Sequence, residues 1–265
     1  EGGYGSQRLA SYYADYWAGV GPMAGGEPLK NAPVENCANL AFSFLTGAMD
    51  EGFYRNKLTG YTKTAFDSLQ AKYAGRLMNH SADSLFRHRI ELIPNCGHSI
   101  DYSLTTPWLK TYKRNPYPHT FMWEDYPMDG QRRQGFYNLY VMKRPKEADG
   151  LKDASGEDRD YYEMDIKDNV IRLSVRKVTY QTVERDPVYG IDLKFTKSYH
   201  QASGGKWKIY LNDQLVDMNK PVTVFINDRK AFEGKLVPRM EDMITSCMEY
   251  FDPCRVFPAS VDVAL

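Results

Sequence analysis

The chain has 265 residues, 42% apolar and 26% charged, a composition that can bury a core and excludes a disordered polymer. Its 34 basic residues balance 34 acidic ones, so no net field draws it to nucleic acid or to an anionic membrane. No apolar run approaches the roughly 20 residues of a membrane-spanning helix, and four cysteines are too few for a disulfide scaffold.

The opening Glu1-Gly2-Gly3 carries no initiator Met and no apolar leader, which predicts a processed or truncated start. Residues 3–16 place Leu9, Tyr12, Tyr13 and Tyr16 at helical spacing among small residues, as in a helix packed closely on a sheet. Residues 17–20 turn apolar and end in Gly21-Pro22-Met23-Ala24-Gly25-Gly26, a short buried strand followed by a glycine loop. No P-loop Lys-Ser/Thr follows Gly25-Gly26, so this loop is not a phosphate cradle. Residues 39–46 form a second strand that ends in Gly47-Ala48-Met49-Asp50. Residues 61–77 have helical periodicity, with Thr62 or Thr64 placed to cap. Residues 88–93 form a third strand that ends in Pro94-Asn95-Cys96-Gly97-His98. Residues 105–112 make a short helix with Pro107 in its first turn.

Strands alternating with helices predict a parallel sheet joined by crossovers, with ligand sites at the carboxyl ends of its strands. Asp50 and His98 follow successive strands, so this topology puts them on one edge of the sheet. Beyond Asn115-Pro116-Tyr117-Pro118 the pattern becomes strand-like at 120–123, 136–142, 161–166, 170–178, 191–195, 207–211 and 222–226. Asp168-Asn169, Asn212-Asp213 and Asn227-Asp228 supply turns between them. That spacing suggests an antiparallel sandwich or barrel. Residues 146–160 are polar and suit a surface loop, residues 238–250 are helical, and 261–265 close the sheet. The expected organisation is therefore a partial α/β domain over 1–116 and a β-sandwich-like domain over 117–265. Cys247 and Cys254 either pair in an oxidising compartment or remain free thiols. No Cys/His spacing marks a zinc site.

A hydrolytic triad needs a nucleophile, a base and an acid that orients the base. The run Pro94-Asn95-Cys96-Gly97-His98-Ser99-Ile100-Asp101-Tyr102, with Thr106-Pro107-Trp108-Leu109 and Arg114-Asn115-Pro116-Tyr117-Pro118, resembles the histidine loop and exit of an α/β-hydrolase family of bacteroidete-type bacteria. Members of that family are esterase- or peptidase-like serine hydrolases with a β-rich C-terminal extension. Thr46-Gly47-Ala48-Met49-Asp50-Glu51-Gly52-Phe53 resembles the acid-bearing loop. Glu1-Gly2-Gly3-Tyr4-Gly5 resembles the end of the nucleophile elbow, S-E-G-G-x-G. Residues 206–227, with Leu215-Val216-Asp217 and Lys220-Pro221-Val222-Thr223-Val224, resemble the extension.

The resemblance implies His98 as general base, Asp50 as orienting acid and the Glu1 N–H as one oxyanion donor. Gly2 would close the elbow, where a missing Cβ lets helix and strand pack tightly. The serine would fall one position before Glu1, so this chain by itself is expected to be inactive. The implied substrate is a small ester or peptide, with no metal and no organic cofactor, in a periplasmic or secreted setting. Asp50 has a competing role as cap of the turn at Glu51, and Asp101 and Glu51 are rival acids, Asp101 suiting a local loop hydrogen bond better. Ser6 lacks the G-x-S-x-G spacing of a nucleophile. Trp123, Tyr137, Tyr140 and Trp207 suit either a sugar platform or an aromatic core. The alternative function is a non-catalytic binding or assembly protein built on a degenerate hydrolase half. Without the strands before it, the edge near 17–20 is expected to pair with another chain.

Overall fold

The computed structural model describes residues 1–76, 84–146, 152 and 156–265. The chain divides into two compact units, Glu1–Asn115 with Tyr180–Thr196, and Pro116–Thr179 with Lys197–Leu265. The expected boundary at 116/117 falls beside the first of these breaks. Tyr180–Thr196 groups with the first unit rather than with the β-rich region, a departure that no local pattern marks.

In the first unit, helix α1 (Gly2–Tyr12) leads through a 3₁₀ turn to strand β1 (Gly19–Val20). Strand β2 (Ala41–Gly47), helix α2 (Arg55–Lys72), strand β3 (His88–Ile93) and helix α3 (Thr105–Leu109) follow. The three strands form a parallel sheet in the order β1-β2-β3. Every residue of central β2 is buried, as a parallel strand covered on both faces requires. Phe42 of β2 meets Phe66 of α2 at 4.7 Å, and Phe66 lies 5.2 Å from His88 of β3, so the crossover helix packs its aromatic face on the strands it joins.

Several local expectations shift. In α1 the buried side chains are Gln7, Ala10, Ser11 and Tyr12, whereas Leu9 is 44% exposed. Helix α2 starts at Arg55 rather than near 61. Thr62 and Thr64 therefore sit inside it, and their hydroxyls donate to Leu58 O and Gly60 O instead of capping. The expected end of that helix at residue 77 lies outside the described residues, as do 147–151 and 153–155 of the expected loop. Strand β1 is only two residues long and holds the edge beside β2.

The second unit mixes strand directions. Its strands are β4 (Thr120–Asp125), β5 (Gly135–Phe136), β6 (Leu139–Lys143), β7 (Arg159–Lys167), β8 (Val170–Arg185), β9 (Asp192–Gln201), β10 (Lys206–Leu211), β11 (Val222–Ile226), β12 (Arg229–Gly234) and β13 (Ala259–Ala264), with helix α4 (Met240–Tyr250) before the last. The outer ends of β8 and β9, within Tyr180–Thr196, belong to the first unit. One sheet runs β13-β10-β6-β5 and another β12-β11-β8-β7-β4, with β9 on β8. All pairs in the first of these sheets are antiparallel, but β11 lies parallel to β8. The expectation of an all-antiparallel region is corrected at that pair. The turns Asp168-Asn169 (φ 51° and 61°) and Asn227-Asp228 (φ 45° and 63°) adopt the left-handed pair that two-residue hairpins favour. Tyr137, at φ 51°, splits the expected strand 136–142 into β5 and β6. Trp123, Tyr137 and Trp207 are core residues, Trp123 stacking on Phe136 at 5.4 Å, so they do not form an exposed sugar platform. All four cysteines are free. Among the described residues no helix is long and apolar enough to cross a membrane.

Candidate functional site

Asp50 and His98 meet where the topology puts them, at the carboxyl ends of adjacent parallel strands. The loop after β2 and the loop after β3 are laced by backbone bonds: Ala48 N–H donates to Ile93 O and Met49 N–H to Cys96 O, each at 2.9 Å. A Cβ on Gly47 would collide with the carbonyl oxygens of Gly97 and Cys96, so only glycine lets the histidine loop lie across the end of β2. Asn95, at φ 56°, takes the left-handed turn that swings this loop back over the sheet.

His98 Nδ1 lies 2.9 Å from Asp50 Oδ2. Asp50 is buried, while the imidazole is 65% exposed. Arg55, at the start of α2, clamps the same carboxylate with two bonds, Nη2 to Oδ1 at 2.6 Å and Nε to Oδ2 at 2.8 Å. Burial pushes the Asp50 carboxyl up, but the bonds from Arg55 and His98 outweigh it and hold the group below its ordinary value. Arg55 is pushed up by the Asp50 bond, against burial, with Tyr4 of α1 adding in the same direction. An ionised Asp50 only accepts, so Nδ1 carries the hydrogen and Nε2 is the basic nitrogen of His98. Arg55 neutralises part of the Asp50 charge, so Asp50 acts on the ring more by orientation than by attraction.

The acid loop is itself tied down. Asn56 donates its backbone N–H to Asp50 O (3.0 Å) and its Nδ2 to Ala48 O (2.9 Å). Phe53 and Tyr54 are consecutive left-handed residues, at φ 51° and 59°, and this tight turn brings Arg55 back over Asp50. The Tyr54 hydroxyl donates to Asp186 Oδ1 at 2.7 Å, and the Phe53 and Tyr189 rings lie 4.8 Å apart. None of Arg55, Asn56, Tyr54 or Tyr189 stood out in the sequence. The one available signal was Arg55 five residues after an acidic candidate.

The other expected residues separate. Asp101 is an exposed loop residue whose Oδ1 accepts from Ser103 N–H at 2.8 Å, and His98 bonds Asp50 instead. Glu51 is exposed, and Asp50 turns to Arg55 and His98 rather than capping the Glu51 turn. Ser6 is exposed on α1. Glu1 is the N-cap of α1, which puts the first backbone donors of that helix next to it. The tight-packing role expected of Gly2 belongs to Gly3. A Cβ on Gly2 meets open space, whereas one on Gly3 would strike Met23 O and the Gly25 backbone. The first turn of α1 thus lies directly on the glycine loop after β1, which pairs with β2 through Ala24 N–H to Leu45 O at 2.8 Å. No metal-ligating group of three or more His, Cys, Asp or Glu gathers among the described residues.

Comparison of the chain with family models, with curated proteins and with solved structures returns no match.

Proposed function

We propose that the first unit is the C-terminal portion of an α/β-hydrolase-type sheet, and that the chain belongs to a serine hydrolase of esterase or peptidase type. The second unit would be its β-sandwich-like extension. The observation that carries this reading is the 2.9 Å His98 Nδ1–Asp50 Oδ2 bond, made at successive parallel strand ends, with the acid buried and the ring open to solvent. The close seating of the α1 first turn on the glycine loop supports placing an elbow there.

In this mechanism a serine preceding Glu1 in the parent protein attacks the substrate carbonyl. His98 Nε2 takes the serine proton and returns it to the leaving group. Asp50 holds Nδ1–H and stabilises the imidazolium, while Arg55 fixes Asp50. The N–H of Glu1, at the start of α1, donates to the oxyanion. Water then cleaves the acyl-enzyme by the same proton route. The substrate is a small ester or peptide.

A fluorophosphonate probe on the full-length gene product tests the proposal. Covalent labelling is expected, and His98→Ala should abolish it. Absent labelling would leave the binding or assembly role as the better account, and labelling that persists without His98 would remove His98 as the base.

A further inference from the structure

A cleft of ≈ 650 Å³ opens along the loop that carries the acid, lined by Phe53, Tyr54, Leu92 and Tyr189 with Glu51 and Lys57 among its polar members. We infer that this cleft binds a neutral apolar group, aromatic or branched aliphatic, and that it selects the side chain or acyl group presented to His98. The second half of that statement rests on the hydrolase proposal; the binding half does not.

Three observations converge on it. First, the cleft is held by a costly local conformation. Phe53 and Tyr54 both sit in the left-handed region that L side chains rarely adopt, and neither is glycine or asparagine. The turn keeps the Phe53 ring 49% exposed against Tyr189, itself 59% exposed, with Leu92 39% exposed on β3. Second, the polar groups of Tyr54, Asn56 and Lys57 in the wall are already engaged. The Tyr54 hydroxyl donates to Asp186, Asn56 Nδ2 donates to Ala48 O, Asn56 Oδ1 accepts from Lys57 N–H, and Lys57 Nζ pairs with Glu184 at 2.8 Å. A polar ligand would have to displace these bonds, whereas ring faces and Leu92 stand ready for an apolar one. Third, charge argues against an ionic guest. The Arg55 guanidinium already lies 5.7 Å from the Phe53 ring centre and Lys57 Nζ 5.7 Å from that of Tyr54, so a further cation is repelled. Exposed Glu51 repels a carboxylate, and Arg55 and Lys57 are already paired with Asp50 and Glu184, so neither is free to attract one. A hydrolase with such a cleft would take the neutral ester or amide and release the anionic acid.

The test is a titration of the full-length protein with 3-phenylpropanamide and, separately, 3-phenylpropanoate, followed by protein chemical shifts. The amide should bind saturably, and the carboxylate at least about fivefold more weakly. Tyr189→Ala should weaken the amide by about tenfold, which corresponds to roughly 1.4 kcal/mol. Phe53→Gly, which relaxes the left-handed backbone while removing the ring, should do the same. Absence of saturable amide binding, or affinity indifferent to both Tyr189→Ala and Phe53→Gly, overturns the cleft; equal affinity for the carboxylate overturns its selectivity. If the amide binds as expected while fluorophosphonate labelling fails, the hydrolase proposal falls and the apolar site stands.

Discussion

Glu124, Asp125, Arg159, Asp160 and Lys177 of the second unit are all buried, and each meets opposite charge that is itself shielded or nearly so. Arg159 pairs with Glu124 at 2.8 Å, Lys177 with Asp160 at 2.6 Å, and Arg132 bridges Asp125 and Asp160 at 2.7 and 2.6 Å. In the first unit, Asp50 is just as buried, but one of its two partners, His98, stands in solvent. The two sets also titrate differently. Burial dominates at Asp125 and raises it despite Arg132 and Arg144, whereas at Asp50 the bonds from Arg55 and His98 prevail over burial. Buried charge by itself therefore does not mark a functional site here. A closed network organises a core, whereas a buried acid coupled to an accessible titratable ring can pass its influence to a reacting group.

The contrast breaks most visibly at Lys177. Replacing it by Met keeps the volume but leaves a net negative charge among Asp125, Asp158 and Asp160, where water cannot reach Asp160. Lys177→Met should cost about 3–5 kcal/mol. Denaturant unfolding followed by the indole N–H resonances of Trp123 and Trp207, both in the second unit, measures it. A loss below about 1 kcal/mol would show that the network relaxes around an open carboxylate and that the distinction between the units is false. A smaller cost, about 1–3 kcal/mol, is expected for Gly47→Ala, because the new Cβ must push the Cys96 and Gly97 carbonyls off the end of β2. Its more telling effect is local: the amide shifts of the 95–98 loop should move, and labelling by the serine probe should fall with them. Unmoved shifts would mean that the loop does not depend on this contact.

These residues also show what the sequence made legible. Strand β3 appears at its expected bounds although its sequence alternates and only Ile90 is buried, and β2 lies within two residues of expectation because a buried parallel strand reads as a short apolar segment. Asp50 and His98 were visible because strand order alone brings successive strand ends together. Arg55 was not, because its approach depends on two aromatic residues entering the left-handed region, which no local propensity predicts. The cleft was hidden for a different reason. Tyr189 comes from the far end of the β8–β9 hairpin, and the turn signals there gave no indication that it joins the first unit. The parallel pairing of β11 with β8 and the whole of β12 were likewise settled by tertiary contacts rather than by local pattern.

The Asp50–Arg55 clamp predicts a specific acid response. The folded carboxyl lies below its ordinary value of 3.8, so in acid the unfolded chain binds more protons than the folded one. The stabilisation is fully present above 3.8 and is lost as pH falls through the lower folded value. Asp50→Asn removes this contribution, so the gap in urea midpoint between wild type and variant should be widest near neutrality and narrow below pH 3.8. Arg55→Met, which removes the main hydrogen-bond partner, should raise the folded carboxyl and shift the acid loss to higher pH. A variant that follows the wild-type acid limb unchanged would exclude Asp50 as its source.

The smallest expected effect on stability carries the sharpest form of the comparison. His98→Ala removes an exposed ring and one bond to Asp50, yet Arg55 keeps both carboxylate oxygens paired and water can enter where the ring stood. The cost should therefore be about 1 kcal/mol or less. Under the proposed mechanism the same change removes the proton acceptor entirely and abolishes labelling by the serine probe. Lys177 and His98 each pair with a buried aspartate, so stability and labelling should rank the two variants in opposite order. Because Lys177 has no place in the proton route, any labelling lost in Lys177→Met should track the unfolded fraction rather than the chemistry. If His98→Ala instead costs as much as Lys177→Met, the exposed ring is a structural element after all, and the open pair at the strand ends belongs with the closed network of the second unit.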